Sequence, residues 1–272
     1  MRIRVFCSFL FLFLLIDSTH SFSQAPPPVS DPQAVALVRQ ALAALTNGVL
    51  VSDMTLKGNA AWIAGSEKGT GTVTLKAKGP DESRIDLNIG SASRSIVRND
   101  SADPMGQIAY SDGRVVSEAF HNTRAVAAWF APAIVISDFL RPDALLIYVG
   151  RETYTGTAVE HIRMYRVVSG KGSPAAKALS SRLSAMDLRL DANSMLPILL
   201  SFAAHPEDDA GLDIAVDIGF SNYQKSNGVM FPQRVTRFLQ NSVNFDITIT
   251  SIDINSGLPD TDFTIQNNGG GQ

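Results

Sequence analysis

The side chains that could do chemistry in this sequence are few and scattered. Beyond residue 23 there are three histidines, His121, His161 and His205. None has a second ligand at metal-binding spacing. There is no His-Glu-x-x-His, and the one cysteine, Cys7, lies in an N-terminal apolar run where it completes no thiolate set. His161 alternates with Arg163 and Tyr165 and reads as part of a solvated strand face. His205 precedes Pro206 and the acidic turn Glu207-Asp208-Asp209, and His121 stands at an expected helix start. Hydrolytic or metal chemistry would need these histidines to converge with carboxylates on folding.

Other motifs are equally bare. Gly170-Lys171-Gly172-Ser173-Pro174-Ala175 has the G-x-G-x-x-A spacing of a dinucleotide loop, but the strand before it, Val159 to Val168, is charged and half exposed. It reads instead as a Gly-Ser loop ending in Ser173, a helix cap with Pro174 in the first turn. Asp253-Ile254-Asn255-Ser256-Gly257 begins like a calcium loop but lacks the third acidic position and the final Glu. Glu207, Asp208, Asp209 and Asp213 read as a solvated acidic turn. No G-x-S-x-G elbow occurs, and no basic stripe interleaved with aromatics, so an esterase triad and nucleic acid are both set aside. The expectation is a non-enzymatic protein with no metal and no cofactor.

The 272 residues carry 23 basic and 26 acidic side chains and are 45% hydrophobic, enough for a packed core. Residues 1–23 have the parts of a secretory signal peptide: Arg2 and Arg4, the apolar run Val5 to Ile16, then Ser21 and Ser23 before a cut at Gln24. Twelve apolar residues are too few to span a bilayer. Residues 24–30, with Pro26-Pro27-Pro28, read as an extended spacer. Residues 31–265 read as one domain and 266–272 as a loose Gly-rich tail. A cysteine-free exported chain must be held by packing. The bacterial periplasm is the expected destination, with secretion as the other, and membrane contact at most transient.

These side chains hang on mostly period-2 segments. Ser30 and Gln33 have capping-box spacing, and Val35, Val38, Leu42 and Leu45 form a helical stripe ended by Asn47-Gly48. Strands follow: Val73, Leu75, Ala77; Ile85, Leu87, Ile89; Met186, Leu188, Leu190; Leu212, Ile214, Val216, Ile218, Phe220; Val243, Phe245, Ile247, Ile249. Each alternates with polar or small residues. One wet face per strand predicts an antiparallel sheet, because parallel strands are covered on both sides. Ser111-Asp112-Gly113 and Ser226-Asn227-Gly228 predict hairpins, and the phase flip at Ser251-Ile252 predicts a β-bulge. The fold class is α+β: a large twisted antiparallel sheet whose apolar face needs a cover. Candidates are the first helix, Pro174 to Leu183, and Ala125 to Leu140. In that last segment Val126, Trp129 and Phe130 have helical spacing, and Ile134, Val135, Ile136, Phe139 and Leu140 follow Pro132.

Gly71-Thr72-Val73-Thr74-Leu75-Lys76-Ala77-Lys78-Gly79-Pro80, Ile108-Ala109-Tyr110-Ser111-Asp112-Gly113, Asn227-Gly228-Val229-Met230-Phe231-Pro232, and Asp253-Ile254-Asn255 to Asp262-Phe263 are stretches of one kind. Each resembles a segment of the LolA/LolB-like lipoprotein-carrier superfamily. The resemblance implies an incomplete barrel whose apolar concave side is covered by helices. In the soluble carrier an arginine directly before that early proline helps hold the lid closed. Here Gly79 stands there and Lys78 is one residue earlier. The implied function is an exported protein that holds a lipid, an acyl chain or an acylated protein without catalysis. Strand phase and helix stripe select the lining: Leu75, Ile85, Leu87, Trp129, Phe130, Ile136, Ile214, Val216, Ile247 and Ile249. The other reading is an envelope protein-interaction or stress-sensing module, which would bind a protein partner through an exposed apolar patch.

Overall fold

The structure, a computed structural model, describes residues 29–64, 67–119, 121–122, 129–167 and 172–265. The signal-peptide segment, Val126, the start of the Gly170-Lys171 loop and the tail at 266–272 lie outside these. Thirteen strands form one sheet: β1 (Asp53–Ala64), β2 (Glu67–Lys78), β3 (Glu82–Ile89), β4 (Ala92–Asn99), β5 (Gly106–Tyr110), β6 (Val115–Ser117), β7 (Ala144–Tyr154), β8 (Thr157–Arg166), β9 (Met186–Asp191), β10 (Pro197–Ala204), β11 (Ile214–Ser226), β12 (Val229–Leu239) and β13 (Ser242–Ile254). Their order is β6-β5-β4-β3-β2-β1-β13-β12-β11-β10-β9-β8-β7, antiparallel throughout. The sheet does not close, since β6 and β7 are unpaired edges.

That order decides what covers the sheet. Two meanders, β1–β6 and β7–β13, meet where β1 pairs β13. The link from β6 to β7 must run from one edge of the sheet to the other, and it crosses the apolar face. It carries Trp129, Phe130 and helix α2 (Pro132–Asp138), in which Ala133, Ile134, Val135 and Ile136 are all buried. A helix apolar nearly all round is stable in water only when largely enclosed, and this one, polar only at Ser137 and Asp138, lies between the sheet and α1 (Pro32–Thr46).

In α1 the buried stripe is Ala34, Val38, Ala41 and Leu45, with Val35 and Leu42 at its flanks. The cap is Asp31, whose Oδ1 accepts from Gln33 N at 2.8 Å, rather than Ser30. Ser30 Oγ instead accepts from Leu146 N at 3.1 Å, tying the helix entry to β7. Helix α3 (Pro174–Leu183) starts as its sequence predicts: Ser173 Oγ accepts from Ala176 N at 3.2 Å. As a cover for the apolar face it is a correction. No residue of α3 is buried: Ala176, Leu179 and Leu183 share one side of it, yet Leu179 stays 47% exposed, and the helix lies against β8.

Strand phase holds along the sheet. Val73, Leu75, Ala77, Leu188, Leu190, Val216, Ile218, Ile247 and Ile249 are all buried. The bulge near the end of β13 falls at Thr250: Ile249 pairs Gly58, Ser251 pairs Lys57, and Ile252 returns to the inward face opposite Leu56. Asn227 and Gly228 turn from β11 to β12 with φ of 49° and 88°, the left-handed pair that a tight hairpin requires. Where β2 meets β3 the backbones approach closely. A Cβ on Gly71 would lie 1.8 Å from the Asn88 carbonyl oxygen. Gly71→Ala is therefore expected to destabilise the protein by about 1–3 kcal/mol, because the strands must part to admit the methyl. Urea denaturation checks this, and an unmoved midpoint would mean that the strands separate there without cost.

The open seam is held by ions. Arg141, just past α2, donates from Nη1 to both oxygens of Asp81 in the β2–β3 turn, at 2.9 and 3.0 Å. Arg166 at the end of β8 donates to Asp143 at 2.8 Å and to Asp138, the last residue of α2. The crossing segment is thus tied, through Asp81, to the turn containing Gly79-Pro80. Lys78 faces away and pairs with Asp260 and Glu82.

Candidate functional site

Two adjoining pockets lie on the inward face of the sheet, and the crossing segment, through Trp129, walls the first of them. The first, about 170 Å³, is lined by Ile85 and Leu87 of β3, Arg94 and Ile96 of β4, Ile108 of β5, Glu118, Trp129, Arg237 of β12, and Phe245 and Ile247 of β13. The second, about 150 Å³, lies among Trp62, Leu87, Ile89, Ala92, Ser93, Arg94, Tyr110, Ser111 and Phe245. Leu87, Arg94 and Phe245 belong to both walls. Neither pocket is a sealed void.

Pairing explains the lining. Leu87 is opposite Arg94, which is opposite Tyr110; Ile85 is opposite Ile96, which is opposite Ile108. Directly paired residues share a face, so these six side chains point inward together. On the other half, Arg237 is opposite Ile218 and Phe245, and Val235 opposite Phe220 and Ile247. At the same level Trp62 pairs Phe245 and Gly69. Gly69 has no side chain there, and Ile89 leans over it.

Three ionisable groups stand in this apolar setting. Burial, reinforced by repulsion from Glu207, pushes the Glu118 carboxyl above its ordinary pKa, against the opposing pull of Arg237, His121 and Arg94. Burial depresses the Arg237 guanidinium, and Glu118 only partly offsets it. Arg237 Nη1 donates to Asn244 Oδ1 at 3.2 Å, while its Nε is buried with no hydrogen-bond partner. Arg94 rests its guanidinium 4.8 Å from the centroid of Tyr110, whose ring also lies 4.5 Å from the guanidinium of Arg114. Stacking occupies the guanidinium's face and leaves its in-plane N–H donors uncommitted. Sequence reasoning missed the two arginines by treating the basic side chains as scattered, and it did not single out Glu118. The signal was present in the phase: Arg94 is two residues from Ile96, and Arg237 two residues from Val235.

The ten lining candidates divide. Ile85, Leu87, Trp129 and Ile247 line the first pocket together. Leu75, Phe130, Ile136, Val216 and Ile249 are buried in the core away from both pockets. Ile214, at the start of β11, is only half-buried and lies outside both pockets and the core.

The histidines take structural partners. His205 is buried, and its Nε2 donates to Asp213 at 3.0 Å, which in turn accepts from Arg182. His121 packs edge-on to His205, with ring centroids 5.7 Å apart, but its Nε2 donates to the Pro206 carbonyl at 3.0 Å. His161 is on the outer face, yet it is buried there instead of solvated. Its Nε2 lies 2.7 Å from Asp187 Oδ1, under a ladder formed by Arg163, Glu152 and Arg189. Among the described residues, no group of three His, Cys, Asp or Glu side chains is placed to hold a metal ion. The Asp253-to-Gly257 loop closes on Asp53, which accepts from Ser256 N at 2.8 Å and Gly257 N at 3.1 Å.

No family model and no curated protein matches the sequence. Solved structures do match. A Vibrio parahaemolyticus domain named for outer membrane lipoprotein sorting superposes with a TM-score of 0.54 at 11% identity, covering 85% of this chain and 96% of that one. A LolA superfamily protein from Nitrosomonas europaea gives 0.54 at 11% identity, with coverage of 85% and 97%. A DUF1329 family protein from Desulfovibrio piger gives 0.51 at 11% identity, with 86% and 98%. The chain therefore has the LolA-like lipoprotein-carrier fold, and at this identity the likeness is one of fold alone.

Proposed function

We propose that this protein is a non-enzymatic, exported binding protein that takes an apolar chain between its sheet and its crossing segment. The chain would belong to a lipid, an acyl group or a lipoprotein. The observation that carries the reading is the pair of adjoining pockets on the inward face of the sheet, apolar over most of their walls, the first of them walled by Trp129 of the β6-to-β7 link. The shared fold of the lipoprotein-sorting domain supports it, as does the signal-peptide pattern of residues 1–23 for export to the periplasm. Each methylene removed from water contributes about 0.8 kcal/mol, so a long chain binds well without any catalytic group. Each pocket approximates the dry, benzene-sized cavity of about 150 Å³ known from engineered proteins. A 16-carbon chain therefore enters as the Trp129 segment and α2 move outward.

The test is native mass spectrometry and solvent extraction of the protein exported to a bacterial periplasm and gently purified. A stoichiometric apolar ligand is expected. Trp129→Ala, in a protein that still folds, should weaken retention on the order of tenfold or more, as aromatic anchors in enclosed contacts do. A ligand-free mass, with added dodecanol changing neither melting temperature nor tryptophan emission, would overturn the proposal.

A further inference from the structure

Resting on that pocket, we infer that its occupant carries one anionic head group, a carboxylate or phosphate ending an apolar chain, which Arg94 and Arg237 grip. Both arginines sit at inward strand positions whose paired neighbours, Leu87, Ile218 and Phe245, are apolar. A charge turned into an apolar face is costly unless paired, and elsewhere the fold pays attention to this. Arg84 bonds Asp86, Arg163 bonds Asp187, Arg166 bonds Asp138 and Asp143, and Arg234, three residues before Arg237 but facing outward, bonds Asp246. Only at the pocket do two half-buried guanidiniums stand without an ion pair among the described residues. The single carboxylate lining it, Glu118, leaves one positive charge in surplus. Among the described residues the Arg237 Nε has no acceptor, and the guanidinium of Arg94 beside the Tyr110 ring donates to none. Guanidinium forks match the two-oxygen edge of a carboxylate or phosphate. The chain itself would run along Ile85, Leu87, Trp129 and Ile247.

Trp62 and Trp129 are the chain's two tryptophans and each lines one pocket, so intrinsic emission reports occupancy directly. Titrations at low ionic strength would compare sodium dodecanoate, dodecyl phosphate, dodecan-1-ol and dodecyltrimethylammonium, each as monomers. In the wild-type protein at least one anionic ligand is expected to bind about 10- to 100-fold tighter than the alcohol, the range for hydrogen bonds to a charged group. The cationic ligand should bind more weakly than the alcohol. Arg94→Met and Arg237→Met should each reduce that preference, read as the ratio of anion to alcohol affinity within each variant. Whichever anion binds more tightly, carboxylate or phosphate, names the class of head group. Equal affinity for acid and alcohol in the wild type overturns the head-group assignment and leaves the apolar pocket intact. A preference that survives in both variants overturns it as well. If no ligand of the series binds, the proposed function itself fails. The wild-type comparison needs no variant, so a folding defect in either arginine variant leaves the inference testable.

Discussion

Phe130→Ala is expected to cost about 3–5 kcal/mol of stability, the range for emptying a fully buried aromatic site. Phe130 has no exposed surface and stands edge-on to Trp129, with ring centroids 5.8 Å apart and planes at 79°. It leads directly into α2, whose residues 133–136 are likewise buried. Removing the ring leaves a void between the crossing segment and the sheet, and Trp129 loses the neighbour that fixes its orientation over the first pocket. Urea denaturation should show a lower midpoint with an unchanged slope. The melting temperature should fall by about 2–4 °C per kcal/mol. Phe130→Leu, which refills much of the volume, should lose less. A loss below about 1 kcal/mol for the alanine variant would mean that the crossing segment is not part of the cooperative core.

The second large effect is expected at the seam. Arg166→Met should destabilise by about 3–5 kcal/mol, because it strands a half-buried carboxylate that the arginine now neutralises. The Arg166 side chain is only 8% exposed and Asp138 22%. Burial already pushes the Asp138 carboxyl above its ordinary pKa, against the attraction and hydrogen bond of Arg166 and the nearby Arg141. Without Arg166 it rises further. A carboxyl whose pKa is higher folded than unfolded holds more protons in the folded state, so stability falls as pH rises from the unfolded to the folded pKa. The gap between Arg166→Met and wild type should therefore be widest above the folded pKa of Asp138 in the variant and narrow on acidification. Adding Asp138→Asn to Arg166→Met should recover a large part of the loss at neutral pH. A gap that is the same at every pH, and unrelieved by the double substitution, would refute the ionic account of the latch.

How much of this was legible beforehand depended on how local the cause was. Alternation in β2, β3, β9 and β13 was readable because each strand has one wet face. The Ser173 cap, the Asn227-Gly228 turn and the bulge near Ser251 were readable because each is decided within a few residues. Pro174 to Leu183 was readable as a helix but not as one that leaves the core uncovered, since only packing shows that its apolar side, Ala176, Leu179 and Leu183, goes unburied. Ser30 and Asp31 compete for one cap, and the tertiary contact of Ser30 with β7 settles the competition.

The antiparallel sheet, its hairpins and the apolar segment available to cover it follow from local pattern, because periodicity and turn chemistry act over short stretches of chain. Which of ten inward-phase candidates meet at a pocket follows from the assembled fold. Four do, because β3 and β13 are brought to one space under Trp129 by a sheet that places them three strands apart and curls. The same folding decided that Arg94 and Arg237, 143 positions apart in the chain, share that space with Glu118 and form no ion pair there among the described residues. Burial and the absence of a counter-charge are properties of the assembled environment, and no local pattern encodes them.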